Sequence, residues 1–161
     1  MKYLKEDAAL LDMDSAEDTQ ESLVLREQRL AEIDEKLIEL PAGYAPEQRA
    51  ALLLAGGRAL IDLERFQEAW DRAREAFDIY SAAEDWEGAV QACEILFLSD
   101  QPESLPALGQ GIWLAVTFPV DPELTVALLQ HVIDDTPPDS DGAAVAAIVA
   151  AVAAAAAAQP G

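Results

Sequence analysis

One histidine and one cysteine are the most reactive groups in this sequence: His131 in LLQHVIDDTPP and Cys93 in VQACEILF. An imidazole working as base or metal ligand needs a nucleophile, an orienting carboxylate or further ligands, and no second His or Cys can supply them. His131 falls near the end of a helical stretch, with Asp134 and Asp135 one turn on, where the dipole and the carboxylates favour imidazolium. Cys93 has no Lys, Arg or His close in sequence to lower its pKa, so it reads as a small buried hydrophobe suited to a reducing compartment. DDTPPDSDG has the look of an ion loop, with Asp139, Asp141 and Gly142 at alternating and turn positions. Set on the EF-hand pattern, its first ligand would be Pro137 and its twelfth Ile148, and neither offers a side-chain oxygen. Gly56-Gly57 lacks the surrounding loop of a phosphate cradle and reads as close packing. No catalytic residue, metal site or cofactor site is expected, and the chain reads as a non-enzyme.

Charge separates the two halves. Formal charge is -21, yet every Lys and Arg lies between Lys2 and Arg74, and the stretch from Glu75 to Gly161 carries 14 carboxylates and no cation. Such a half repels nucleic acid and anionic lipid and attracts basic protein surfaces or divalent ions. Trp70, Trp86 and Trp113 therefore read as core residues, because bases stack on aromatics only where cations hold the phosphates. Direct nucleic-acid binding is not expected. MKYLKEDAALLDMD places carboxylates where a secretory signal needs an apolar core. The longest apolar stretch before the tail, GIWLAVTFPV, is about half of a membrane span. A cytoplasmic protein with no membrane span is the expectation.

The elements that must position these residues are helices; strand signals are almost absent. Residues 1–14 are expected to form an N-terminal arm. Leu23, Leu30, Ile33, Leu37 and Leu40 follow three-and-four spacing and predict a helix over about 15–40, with Glu32 placed to pair with Lys36 and with Pro41 and Gly43 ending it. Pro46 opens a second helix to about Glu64. Phe66, Ala69, Ala73, Phe77 and Tyr80 mark a third, and Trp86, Ala89, Cys93 and Leu96 a fourth. A fifth is expected over about 103–118. Asp121-Pro122-Glu123, a capping carboxylate followed by proline and an acid, starts a sixth that runs to about Asp135. The alanine-rich tail, 143–161, is the seventh. Alternate helices begin at Pro46, Trp86 and Pro122, so pairs recur every 36 to 40 residues, an interval typical of stacked helical hairpins. The predicted fold is all-α: one domain over 1–161 of about seven helices in stacked antiparallel hairpins.

LLLAGGRALIDLERFQEAWDRAREAF resembles a tetratricopeptide repeat, with Leu53, Gly57, Leu60, Phe66, Ala69 and Ala76 at signature positions. Gly57 and Ala69 would let two antiparallel helices approach closely, and Phe66 would plug the space beside their turn. Ala73 and Ser81 depart from the pattern, which prefers an aromatic and a proline there. DWEGAV echoes FQEAW but arrives 20 residues later, too soon to be the same element of the next full repeat. The resemblance implies a right-handed superhelix whose inner wall, carried over position by position, offers Ala51, Leu54, Arg58, Ile61 and Asp62 to a partner. Relatives that clamp a carboxylate use several cations on that wall, and only Arg58 is available among those positions. A basic or apolar partner segment is therefore favoured.

The tail remains. Its apolar part, 143–158, would be about 24 Å long as a helix, short of the hydrocarbon core of roughly 30 Å. Twelve of those sixteen residues are Ala, so it shows no polar face, and a helix apolar all round is either buried or not the true sequence. An intact mass of 17.3 kDa would exclude the second reading. Two functions follow from the sequence. The first is a protein-interaction module acting as adaptor, assembly chaperone or accessory subunit for a partner with a basic surface. The second is an acidic decoy that competes with nucleic acid for a basic protein site.

Overall fold

The computed structural model describes residues 3–142 together with 144, 145 and 147, and among these described residues proline and short polar turns separate six helices. They are α1 (Tyr3–Ile38), α2 (Pro46–Asp62), α3 (Phe66–Ala82), α4 (Trp86–Leu98), α5 (Ser104–Thr117) and α6 (Pro122–Asp135). Five of the six start within one residue of their predicted positions. α1 does not: it begins at Tyr3, so the expected arm over 1–14 is helical from its third residue. The physical reason is visible in the sequence, which has neither Pro nor Gly before Pro41. The predicted seventh helix lies outside the described residues except at 144, 145 and 147, which are helical.

Each helix packs on its neighbour in sequence, and α4 also touches both α2 and α6. That pattern makes α2, α4 and α6 one row, with α3 and α5 lying against its other side and α1 flanking α2. The arrangement is the predicted stack of helical hairpins.

Two of the tight turns share one design. At the end of α2, Arg65 N–H donates to Leu60 O at 2.9 Å and Glu64 N–H to Ile61 O at 2.9 Å. At the end of α3, Asp85 N–H donates to Tyr80 O at 2.9 Å and Glu84 N–H to Ser81 O at 3.2 Å. These are Schellman caps, and their left-handed residues are Glu64 (φ 57°) and Glu84 (φ 56°) where glycine is the usual choice. The echo of FQEAW in DWEGAV now has a cause: Phe66 and Trp86 each open a helix just past such a cap, so the shorter repeat marks consecutive helices.

The turn after α4 begins the same way, with Asp100 at φ 48°, but a side chain completes it. Ser104 Oγ–H donates to Leu96 O at 2.8 Å, while Gln101 N–H donates to Ser104 Oγ at 2.7 Å. The hydroxyl thus stands in for the backbone bond that the other two turns make directly.

Small residues set the helix spacing. Ala50, Ala69, Ala73, Ala76, Ala89 and Ala92 are fully buried along the stack. A Cβ added at Gly57 would lie 3.1 Å from Ile95 Cγ2 and 3.8 Å from Ala69 O, so this glycine lets α4 as well as α3 approach α2. At Gly88 the same atom would fall into the Tyr80 ring, and at Gly111 it would lie 2.8 Å from Cys93 Cβ. Leu60, Ile95, Leu108 and Leu128 are the largest wholly buried side chains. A smaller cluster of Leu30 and Ile33 on α1 with Ala59, Leu60 and Ala69 holds α1 in place. The expected Glu32–Lys36 pair does not form among the described residues; the tie from α1 runs instead from Asp34 Oδ1 to Arg72 Nη2 of α3, at 2.7 Å.

Candidate partner-binding cleft

On α2 the side chains at positions 55, 58, 59 and 62 recur at three-and-four spacing and present one stripe to the groove between α1 and α4. A cleft of about 480 Å³ opens there, floored by Ala55, Ala59 and Ile95 and rimmed by Arg29 of α1, Arg58, Ile61 and Asp62 of α2, and Glu94 and Leu98 of α4. A smaller cleft of about 180 Å³, bordered by Leu25 and Arg26, shares Arg29, Ala59 and Asp62 with it.

Three of the five wall residues predicted from the repeat therefore line this cleft: Arg58, Ile61 and Asp62. Ala51 is exposed but lies off it, two turns before Arg58. Leu54 is a correction: it is 4% exposed and belongs to the main core, so it has no surface to offer a partner. Its position beside Ala50 and Leu53 turns it inward, because the core stripe of α2 is wider than the repeat pattern implies.

Sequence reasoning missed the cations of α1. Arg26 Nη1 donates to Asp62 O at 3.1 Å, and Arg58 Nη2 donates to Gln91 Oε1 at 3.2 Å. Among the described residues none of Arg26, Arg29 and Arg58 is paired with a carboxylate. Arg49, Arg65 and Arg72, by contrast, are tied to Glu75, to Glu68 and Glu27, and to Asp34. The expectation that only one cation serves this wall is thus revised to three, two of them from outside the repeat. A signal existed: Arg26, Leu30 and Ile33 lie on one helical face, so the face that buries two apolar residues on α2 also carries an arginine to it.

His131 does not meet the groups expected of it. Its Nε2 lies 3.0 Å from Glu94 Oε1 on α4, and Phe97 packs against the ring at 5.1 Å. Asp134 is instead engaged by Gln130, whose Nε2 donates to Asp134 Oδ1 at 2.8 Å. The His131–Glu94 pair fixes the one carboxylate that α4 brings to the cleft. Cys93 packs against Gly111, and burial pushes its thiol up to about 12, far from a thiolate at neutral pH. Asp139 and Asp141 stand exposed beyond α6. Among the described residues no group of three His, Cys, Asp or Glu side chains could hold a metal ion, and no helix is long and apolar enough to cross a membrane.

The arrangement can hold an apolar side chain on the Ala55–Ala59–Ile95 floor and offer guanidinium donors around it. No protein-family model, no curated protein and no solved structure matches the chain.

Proposed function

We propose that this protein is a non-enzymatic interaction module, an adaptor, assembly chaperone or accessory subunit of a larger complex, which holds a segment of another protein in the α1–α2–α4 cleft. The observation that carries the reading is the set of Arg26, Arg29 and Arg58 around an apolar floor, without carboxylate partners among the described residues of a chain whose net charge is -21. Carboxylates are abundant, so cations left unpaired beside a cleft are available to a ligand, and the planar fork of arginine suits carboxylate and carbonyl oxygens. The tetratricopeptide resemblance supports the same reading, since proteins of that shape hold peptides along their inner helices. Asp62 and Glu94 on the same rim give the cleft both signs of charge. An apolar segment with polar groups of either sign fits it better than a purely basic one.

Affinity capture from cell extract at low salt, with wild type beside an Arg29→Glu/Arg58→Glu variant, tests the reading. A partner recovered by wild type and lost by a variant of unchanged helicity supports it. Recovery of nothing across several salt concentrations, or of the same proteins by both, would overturn it. The second reading, an acidic decoy that competes with nucleic acid for a basic protein site, is carried by no comparable observation: carboxylates occur on five of the six helices.

A further inference from the structure

α5, SLPALGQGIWLAVT, has no charged residue. Its buried arc holds Ala107, Leu108, Gly111, Leu114 and Ala115, but its outer arc is apolar as well: Leu105 is 69%, Trp113 58% and Val116 63% exposed. Gly109, between them, has open space where a Cβ would stand. From Leu105 to Val116 the stripe is about 16 Å long. Single exposed apolar residues need no explanation, whereas a contiguous uncharged stripe marks an interaction surface.

At its Leu105 end the stripe runs into a cleft of about 660 Å³, walled by Phe97, Leu98, Leu105 and Val132 and bordered by Asp100 and Asp135. Three helix ends meet at this cleft: the C-termini of α4 at Leu98 and α6 at Asp135, and the N-terminus of α5 at Ser104. A helix C-terminus carries a partial negative charge and an N-terminus a partial positive one, so the ends of α4 and α5 offset each other while Asp100, Asp135 and the end of α6 leave the apolar space net negative, and no cation lies among its lining residues. From Glu75 onward the chain has none to send there.

We infer that α5 and this cleft form a second docking surface, for a basic amphipathic helix of another protein: its apolar face lies along Leu105, Trp113 and Val116, and a Lys or Arg enters between Asp100 and Asp135. Charge selects the occupant. A second copy of this chain would bring a further net charge of -21 against the -21 already there, and an acidic segment would meet Asp100 and Asp135 unfavourably. Trp113, held edge-on by Phe118 at 6.2 Å, which itself stacks on Trp86 at 4.2 Å, presents a braced aromatic surface on which a flanking cation of the partner can rest. The inference rests on the chain being an interaction module but not on the α1–α2–α4 cleft.

The test is a titration of the full chain with a leucine–lysine amphipathic peptide, followed by tryptophan fluorescence and calorimetry. A serine–lysine analogue of equal charge serves as control. Leu105→Glu/Val116→Glu adds two negative charges, so attraction by charge alone would strengthen binding, whereas a seated apolar face predicts a loss of about tenfold or more. Asp100→Asn/Asp135→Asn is expected to weaken binding several-fold and to flatten its salt dependence. Arg29→Glu/Arg58→Glu, which disables the first cleft and makes the chain more acidic, is expected not to weaken this binding. Equal binding by the serine analogue, undiminished binding by the Leu105→Glu/Val116→Glu variant, loss in the arginine variant, or a concentration-dependent dimer abolished by Leu105→Glu would each overturn the inference.

Discussion

Ser104 shows how much one hydroxyl can carry. Its side chain closes the α4–α5 turn by accepting from Gln101 N–H and donating to Leu96 O, and it is 6% exposed. Ser104→Ala strands both backbone groups where water has little access, at a cost of about 1–3 kcal/mol; a lower urea midpoint with an unchanged m-value is the expected result. Cys93 acts at the other end of the pH scale. Burial raises its thiol from the usual 9.0 to about 12, so the folded state keeps a proton that the unfolded chain releases. That contribution is complete below pH 9 and is lost as pH rises toward 12, with a slope of up to about 1.4 kcal/mol per pH unit. Tyr80, raised chiefly by burial, steepens the same limb. Cys93→Ala is expected to flatten the alkaline fall in stability measured by denaturant titration at successive pH values. Gly88→Ala drives a methyl group into the Tyr80 ring, an overpacking expected to cost about 1–3 kcal/mol and to lower the melting temperature.

Among the elements, the hairpin turns are the least optimised. Glu64 and Glu84 hold left-handed backbone without being glycine, and a side chain there costs roughly 1 kcal/mol before the extra freedom glycine gains in the unfolded chain is subtracted. Glu64→Gly and Glu84→Gly are each expected to raise stability by about 0.5 kcal/mol, additively, because the two turns lie on successive hairpins; calorimetry decides. Pro46, Asp121-Pro122 and the spacing of Trp86, Ala89 and Cys93 made the helices legible in the sequence, because caps and periodicity are local signals. Asp121 does cap α6, accepting from Glu123 N–H at 3.0 Å. The start of α1 was hidden by its high charge, which resembles a solvated arm. The site was legible only where the repeat pattern reached: Arg58, Ile61 and Asp62 could be found on α2. Arg26 and Arg29 lie on α1, outside the repeat, where the shared face of Arg26, Leu30 and Ile33 was the one signal and went unread. The cleft at the ends of α4 and α6 gave no local signal, for it exists only once three helices have packed; the uncharged run from Ser104 to Thr117 was its one trace.

On the scale of the molecule, α1 stands apart. Its 36 residues make a rod of about 54 Å, whereas α2, against which it lies, spans about 26 Å. Its later part is held through Leu30, Ile33 and the Asp34–Arg72 pair, and Ser15 to Glu21 are exposed. Limited proteolysis is expected to cut before Leu30 and leave α2 to α6 intact. An elongated appendage also raises friction out of proportion to mass. This 17.3 kDa chain should therefore leave a size-exclusion column ahead of spherical standards of its own weight even when alone, and a sedimentation or light-scattering mass is the measurement that keeps that early elution from being mistaken for self-association.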